Sequence, residues 1–420
     1  MRAEVDSSER LHGGSPAVTD QGGISLGLTA IILGAATGAA AALCFLAMIA
    51  LQGVIWSNVG QERWLIFAIT LLGGVLIGLT RLPAPALGLE TQIAASRTPD
   101  AVQLRQTFWI ALGGIVAVGF GGAIGPEAGI VAVTAHLSVI VTRRLGKTAA
   151  ERRTLAKAGI SGALSGFYGS PAGGPFHAEE EGRAPKVILF ASGVAGFAAF
   201  GVLTEVLQPG ALAHMRLPRL SAEAEPWDTL IAMLPAAAGA LAGGLFLWVS
   251  TRLSGLFDRY RVTPFWRPVA GGAALGLLGM TAPILLFSGY AELGEMLRIG
   301  QEQGALLLVL LALGKLLACA ACIAAGWLGG VVFPMCFVGA AMGAAAMFFL
   351  PGIDPLIGVA AGMAAAASVG MTRPLVAGLC LLFILGGGLA VPVFVGTLVG
   401  WGALRLLPEA LQHGSASHAS

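Results

Sequence analysis

Long apolar segments that are broken by glycine and proline limit the fold of this chain more than any other feature. Much of its 420 residues falls into apolar runs, and several runs are too short to cross about 30 Å of hydrocarbon. Irregular backbone occurs at that depth only where protein buries it or where it lines an aqueous cavity. The breaks at 121–129, 169–175 and 326–334 therefore predict a polar path through a membrane protein. The final run, 374–406, should contain two helices that are separated near Gly386.

Composition supports a membrane protein and excludes other classes. Hydrophobic residues make up 56% of the chain and charged residues only 11%, whereas soluble domains carry about 25% charged residues. The formal net charge of +2 gives no reason to expect nucleic acid as a partner. The 62 glycines are typical of transmembrane helices that approach one another closely through small residues. The predicted fold class is an all-α, polytopic membrane protein.

Polar segments and basic clusters divide the chain into regions. We expect a polar N-terminal segment over 1–24, a first membrane half over 25–207, an extramembrane loop over 208–227, a second membrane half over 228–407 and a short polar tail over 408–420. The first segment lacks the features of a cleavable signal peptide, so the apolar run after it would direct insertion. The positive-inside rule places three basic connections in the cytoplasm. We expect the N-terminus to lie in the cytoplasm as well, and the protein to reside in the cell membrane. Those connections hold Arg143, Arg144, Lys147, Arg152, Arg153 and Lys157; Arg183 and Lys186; and Arg252, Arg259, Arg261 and Arg267.

One carboxylate lies inside a break. Glu127 falls in the stretch 121–129, GGAIGPEAG, with apolar sequence on both sides. A charged side chain at membrane depth costs roughly 2.5–3.5 kcal/mol on insertion scales, so Glu127 needs a partner, a wet cavity or a function there. Pro126 suits the start of a helix, and helix N-termini attract anions. An acid in that place can compete with an external anion for one site, although a simple helix cap near the interface is an alternative.

The chain also contains a weak internal repeat. Five residues of the first half recur in the second half without a gap, at an offset of about 203 positions. They are Ala158, Gly159, Ala163, Ser165 and Pro171, which recur as Ala361, Gly362, Ala366, Ser368 and Pro374. Each copy follows a glycine-rich break that opens a helix. Paired broken helices in two halves are the sequence pattern that best indicates a transporter binding site at the repeat interface.

These segments together resemble the CLC family of chloride channels and proton/chloride antiporters. The stretch 125–129, GPEAG, is similar to the gating loop of that family, and 329–334, GGVVFP, is similar to its second loop. The segments 158–181 and 361–378 resemble the helix pairs that follow those loops. The resemblance extends from about residue 30 to residue 406. It implies a CLC-type fold of two inverted halves with broken and re-entrant helices, and a homodimer.

The resemblance also implies roles for individual residues. Glu127 would be the gating glutamate, and Glu181 falls where antiporters carry their inner proton-transfer acid. The backbone N–H groups of Val331 and Val332 would bind the central anion, with those of Ala128 and Gly129 on the facing side. The supporting loop residues are Gly125, Pro126, Gly329, Gly330, Phe333 and Pro334. The implied partners are chloride or a similar anion, protons and the lipid bilayer, without a cofactor, a metal or an enzymatic reaction.

Several positions depart from the family pattern. The family serine loop should fall near 85–92, but this stretch reads PALGLETQ and contains no serine. The C-terminal pore tyrosine has no counterpart either, because Tyr168, Tyr260 and Tyr290 lie elsewhere in the chain. Pro126 replaces the usual basic residue, Val332 stands where phenylalanine is usual, and Phe333 comes one place later. The chain therefore resembles a divergent branch, and its inner anion site and its anion (chloride, nitrate or fluoride) stay open.

The leading functional hypothesis is anion/proton antiport with a glutamate gate. A passive anion channel that is gated by voltage or pH is the alternative, because the missing serine and tyrosine weaken anion binding. Glu181 could also be part of a solvated helix end. A metal-dependent hydrolase would centre on His177 and 179–181, but the sequence supplies no third ligand at matched spacing. The cysteines, which all lie in apolar stretches, are interpreted as small packing residues.

Overall fold

The computed structural model describes residues 20–57, 59, 62–83, 104–146, 148–178, 186–210 and 227–412. The loop at 85–92, Glu181, most of the loop 208–227 and the end of the polar tail lie outside these residues. Within these residues, the regular secondary structure consists of helices, and no β-strand is present. This agrees with the all-α fold class that the sequence predicts.

The helices follow one another with short connections. In the first half they are α1 (Asp20–Trp56), α2 (Arg63–Thr80), α3 (Leu104–Gly119), α4 (Glu127–Leu145), α5 (Ala149–Phe167), α6 (Gly173–Ala178) and α7 (Lys186–Leu207). In the second half they are α8 (Asp228–Ile231), α9 (Met233–Arg259), α10 (Trp266–Thr281), α11 (Leu293–Gln303), α12 (Ala305–Ala324), α13 (Val332–Met347), α14 (Pro355–Gly370), α15 (Pro374–Leu385), α16 (Ala390–Leu406) and α17 (Glu409–Gln412). Short 3₁₀ turns lie at Pro283–Leu285 and Gly387–Leu389.

The protein is a multi-pass membrane protein. Among the described residues, 7 helices are long and apolar enough to cross a bilayer: Leu26–Trp56, Arg63–Thr80, Glu127–Leu145, Lys186–Leu207, Thr229–Arg259, Ala305–Ala324 and Gly387–Leu406. Three further apolar helices, α13, α14 and α15, are shorter. Of these, α13 begins at the predicted break 326–334, and α15 ends at the predicted separation near Gly386. The run 374–406 divides at Gly386, which has a φ of 80° that glycine adopts without strain, and this confirms the predicted pair of helices.

The two halves pack in the same way. In the first half α1, α5 and α7 pack against one another, and in the second half α9, α14 and α16 do the same. The helix after each break, α4 or α13, packs against the next helix, α5 or α14. Helices α2 and α10 pack against each other and join the halves. The predicted repeat therefore corresponds to α5 and α14, the most deeply buried helix of each group.

Close helix crossings depend on glycine. A Cβ atom placed on Gly196 of α7 would overlap the backbone of Gly162 of α5, and a Cβ atom on Gly239 of α9 would overlap that of Gly362 of α14. In lipid, helices gain little from the hydrophobic effect on association, so van der Waals contact between close backbones holds them together. Small residues at these crossings are thus a structural requirement of the fold.

We expect Gly196→Ala to destabilise the protein by about 1–3 kcal/mol, the usual cost of overpacking a close contact. The measurement is the midpoint of thermal unfolding in detergent. Gly201→Ala is the matched control, because Gly201 lies on the same helix and a Cβ atom there meets nothing within 4 Å. Equal midpoints for the two variants would contradict the packing that the fold requires.

Candidate functional site

A pair of backbone hydrogen bonds joins the two glycine-rich breaks. The N–H group of Gly125 donates to the carbonyl of Gly330 at 2.8 Å, and the N–H group of Gly330 donates to the carbonyl of Gly125 at 3.0 Å. These bonds form an isolated antiparallel bridge between loops from different halves. Since α4 and α13 begin a few residues later, the bridge holds both helix starts together. We call residues 125–129 and 329–333 the paired helix starts.

The Glu127 side chain lies inside the paired helix starts. It has no solvent exposure. A Cβ atom on either Gly125 or Gly330 would overlap its carboxyl group, so the side chain lies directly over both glycines. The backbone N–H groups of Gly330 and Val332 are near the carboxylate. Among the described residues, no donor makes a hydrogen bond of normal geometry to either oxygen. The carboxylate therefore rests beside the start of α13 without a fixed side-chain partner.

The paired helix starts present unused backbone donors. The first helical bond of α4 runs from the N–H group of Ile130 to the carbonyl of Pro126, at 3.1 Å. That of α13 runs from the N–H group of Met335 to the carbonyl of Val331, at 3.0 Å. The N–H groups that come before these bonds have no acceptor within their own helix. Both helices also direct the positive ends of their dipoles to this place, which favours negative charge.

The remaining residues of the two loops support this arrangement. Ala128 is buried in a small apolar cluster with Ile110 of α3 and Leu328. Gly129 lies against Gly114 of α3, where an added Cβ atom would come within 2.8 Å of the Gly129 Cα atom. The structure thus brings Glu127 together with the Gly330 and Val332 backbone, while Ala128 and Gly129 pack the first turn of α4 against α3.

An aromatic cluster, which the sequence did not indicate, surrounds Phe333. The Phe333 ring makes edge contacts with Phe167 at 5.3 Å and with Tyr290 at 4.9 Å between ring centres. Tyr168 in turn packs on Phe167. Tyr290 lies in the connection between α10 and α11, far from the C-terminal position of the family tyrosine. A tyrosine therefore adjoins the site, but it comes from a different part of the chain.

Lys315 is a second residue that the sequence interpretation missed. It is completely buried in α12 and donates to the carbonyls of Ile284, Leu286 and Phe287, at 3.0, 2.6 and 3.1 Å. A signal was present, because Lys315 is the only charged residue between Ala305 and Ala324. An isolated ionisable residue within an apolar span is a functional candidate by default.

Arg81 is a third residue that was missed. It follows the last residue of α2, is buried and donates from its guanidinium to the carbonyl of Gly326. Burial, and secondarily the nearby Arg267, lowers the pKa of Arg81 to about 10, so the guanidinium stays charged at neutral pH. Arg81 thus fixes the loop that leads to Gly329.

Of the residues proposed for a metal site, the structure describes His177 but not 179–181. His177 is buried in α6 and its ring lies 6.0 Å from that of Tyr168. The three glutamates at 179–181 lie outside the described residues. Within the described ranges, no group of three His, Cys, Asp or Glu residues could hold a metal ion. All five cysteines are buried with free thiols.

Comparison with known proteins places these features in a family. Residues 88–404 match the family described as voltage gated chloride channel. Curated relatives include YfeO of Escherichia coli strain SE11 and YfeO of Escherichia fergusonii, which are named for ion transport. Each is 30% identical over 357 residues, which cover 80% of this chain and 82% of the relative.

Solved structures show the same fold. A slow cyanobacterial Cl⁻/H⁺ antiporter superposes with a TM-score of 0.79 and 19% identity, over 93% of this chain and 98% of that chain. A CLC-type fluoride/proton antiporter superposes with a TM-score of 0.71 and 19% identity, over 92% of this chain and 98% of that chain. These likenesses confirm the predicted CLC-type fold.

The contact between Gly330 and Glu127 can be tested by a double substitution. All three heavy atoms nearest to a Cβ atom on Gly330 belong to the Glu127 carboxyl group. We expect Gly330→Ala to cost about 1–3 kcal/mol of unfolding free energy in the native background and less than half as much in a Glu127→Ala background. The measurement is unfolding in detergent.

Gly329→Ala is the control for this pair. A Cβ atom on Gly329 would meet Ile124 and the Gly125 backbone instead of Glu127. Its cost should therefore be the same in both backgrounds. If Gly330→Ala also lowers the unfolding free energy equally in the native and Glu127→Ala backgrounds, the Glu127 carboxyl group does not lie over Gly330.

Proposed function

This chain belongs to the voltage-gated chloride channel (CLC) family, and on that premise we propose that it exchanges chloride or a similar small anion for protons across a membrane. One observation carries the proposal: the Glu127 carboxylate is fully buried beside the backbone N–H groups at the start of α13. A helix start of this kind is an anion site, and here an internal carboxylate lies in it. The proposed gate is Glu127.

The exchange follows from competition for one position. When the ionised carboxylate lies against the paired helix starts, it occupies the place that an external anion would take. When an anion takes that place, a second negative charge beside it is strongly disfavoured, so the carboxyl group must move away or bind a proton. Where the displaced carboxyl group binds a proton, the passage of an anion is linked to a change in the protonation of Glu127. Alternating these two states moves anions and protons in opposite directions.

The backbone and the glycines serve this cycle in different ways. Glycine at 125 and at 330 lets the Glu127 carboxyl group lie flat against backbone. The N–H groups of Val331 and Val332 would hold the anion without any charged side chain. Neutral donors bind an anion less tightly than a direct salt bridge would, and conduction needs an ion that can also leave.

The remaining parts of the proposal rest on the sequence. Glu181 would pass protons between Glu127 and the cytoplasm. The basic connections would lie in the cytoplasm with the N-terminus, in the cell membrane. The extramembrane loop 208–227 would connect the two halves along the chain, and the assembly would be a homodimer, as the family resemblance implies.

A passive anion channel is the second candidate. The lack of a serine at 85–92 and of a C-terminal tyrosine favours it, because weaker anion binding would uncouple the anion from the proton. The two functions differ in one observable, which is proton movement driven by an anion gradient. A channel would show none.

Flux in reconstituted liposomes tests the gate. With chloride, nitrate and fluoride as probes, anion and proton movement should be followed together. We expect Glu127→Gln to conduct anions while anion-driven proton movement falls at least tenfold, because glutamine cannot exchange a proton. Glu409→Gln, which changes an exposed acid, is the control and should keep the coupling. Unchanged proton coupling in Glu127→Gln would reject the gate.

Glu181→Gln tests the inner acid in the same assay. Proton movement should be lost while anion flux survives, because the anion site does not depend on this side chain. Glu180→Gln is the matched neighbour and should behave as the native protein does. Proton movement at the native rate in Glu181→Gln would contradict the assignment.

A further inference from the structure

A lysine is buried in α12, beside the helix that begins at the second break. Lys315 has no solvent exposure, and its ammonium group faces three backbone carbonyls at 2.6–3.1 Å. The three N–H donors of a protonated lysine match these three acceptors. Its only direct partners in these bonds are neutral dipoles, which solvate the charge without cancelling it.

This charge lies beside α13. The Lys315 Nζ atom is 5.0 Å from the centre of the Phe337 ring. Phe337 comes five residues after Val332, which is about 7.5 Å along a helix axis. These two distances place the charge within roughly 15 Å of the N–H groups at the start of α13.

The segment that Lys315 holds also contacts both breaks. The N–H group of Phe287 donates to the carbonyl of Gly121 at 3.1 Å, and the Tyr290 ring packs on Phe333. Lys315 is thus connected through one short segment to Gly121 in the first break and to Phe333 in the second of the paired helix starts. A charge at this distance in a membrane interior acts on any anion at the start of α13, because little water is present to screen it.

Glu292 is the acid near this lysine. Lys315 and Glu292 interact electrostatically. Within the described residues they form no ion pair shorter than 4 Å, and the Oε2 atom of Glu292 is buried without a hydrogen-bond partner. Burial raises the pKa of the Glu292 carboxyl, and Lys315 opposes that shift. The positive charge of Lys315 is therefore only partly offset.

We propose that Lys315 and Glu292 set the affinity of the anion site at the start of α13, the lysine strengthening it and the glutamate weakening it. The inference rests on the proposed function, because it assumes an anion at that place. Neither residue touches the anion. Both act through the electrostatic potential, so substitutions of opposite charge must change the affinity in opposite directions.

The test needs a Glu127→Gln background. In the native protein the potential acts alike on the Glu127 carboxylate and on the anion that replaces it, so the two effects largely cancel. With glutamine at 127, only the anion is affected. The measurement is chloride flux in liposomes as a function of chloride concentration, for the background alone and with Lys315→Met, Lys315→Arg or Glu292→Gln added.

We expect Lys315→Met to raise the half-saturating chloride concentration about fivefold to tenfold, as loss of a unit charge at this distance would. Lys315→Arg keeps the charge and should stay within about twofold of the background. Glu292→Gln should lower the half-saturating concentration about threefold, because it removes the partial offset. Thermal unfolding in detergent, measured for each variant, reports any loss of the bonds to Ile284, Leu286 and Phe287.

A purely structural lysine would give a different result. Lys315→Met would then unfold at a lower temperature with an unchanged half-saturating concentration, and Glu292→Gln would have no effect; this would overturn the proposal. If Lys315→Met does not fold, Glu292→Gln decides alone, since a lowered value supports the proposal and an unchanged value overturns it. Absence of chloride flux in the Glu127→Gln background itself would instead reject the proposed function.

Discussion

The two backbone hydrogen bonds between Gly125 and Gly330 are the contact on which the rest of the site depends. They join loops from opposite halves of the chain. Both residues are glycines, and a Cβ atom on either would overlap the Glu127 carboxyl group. Because α4 and α13 start directly after the bridge, it brings two sets of unused N–H groups into one buried place. The Glu127 carboxylate lies there because the glycines leave room for it. Without the bridge, neither the donors nor the acid would share a site.

The N–H and C=O groups of irregular backbone at membrane depth need hydrogen-bond partners within the protein. In this protein, buried cations donate some of those hydrogen bonds. Arg81 donates to the carbonyl of Gly326, before the second break, and Lys315 donates to three carbonyls of the connection after α10. Each cation thus fixes a loop that leads to the paired helix starts or contacts them. Under the proposal for Lys315, one side chain would supply both structural support and attraction for an anion.

The sequence predicted the helical membrane fold, the broken helices and the internal repeat. The length of an apolar segment decides whether a helix can span the membrane, and Gly and Pro mark where a helix breaks. It also singled out Glu127, since an acid in an apolar segment needs a reason. It did not indicate the bridge, because a contact between two backbones leaves no side-chain pattern. Tyr290 was missed because its position depends on a connection that folds back over α13. Lys315 was missed although an isolated cation within α12 was a readable signal.

The central claim is that one position holds either the Glu127 carboxylate or an external anion. Anomalous diffraction from bromide tests it most directly, with crystals of the native protein and of Glu127→Ala soaked under the same conditions. We expect a bromide peak within hydrogen-bond distance of the Val332 amide in Glu127→Ala, and a much weaker peak there in the native protein. No peak in the variant, or an equal peak in both, would contradict it.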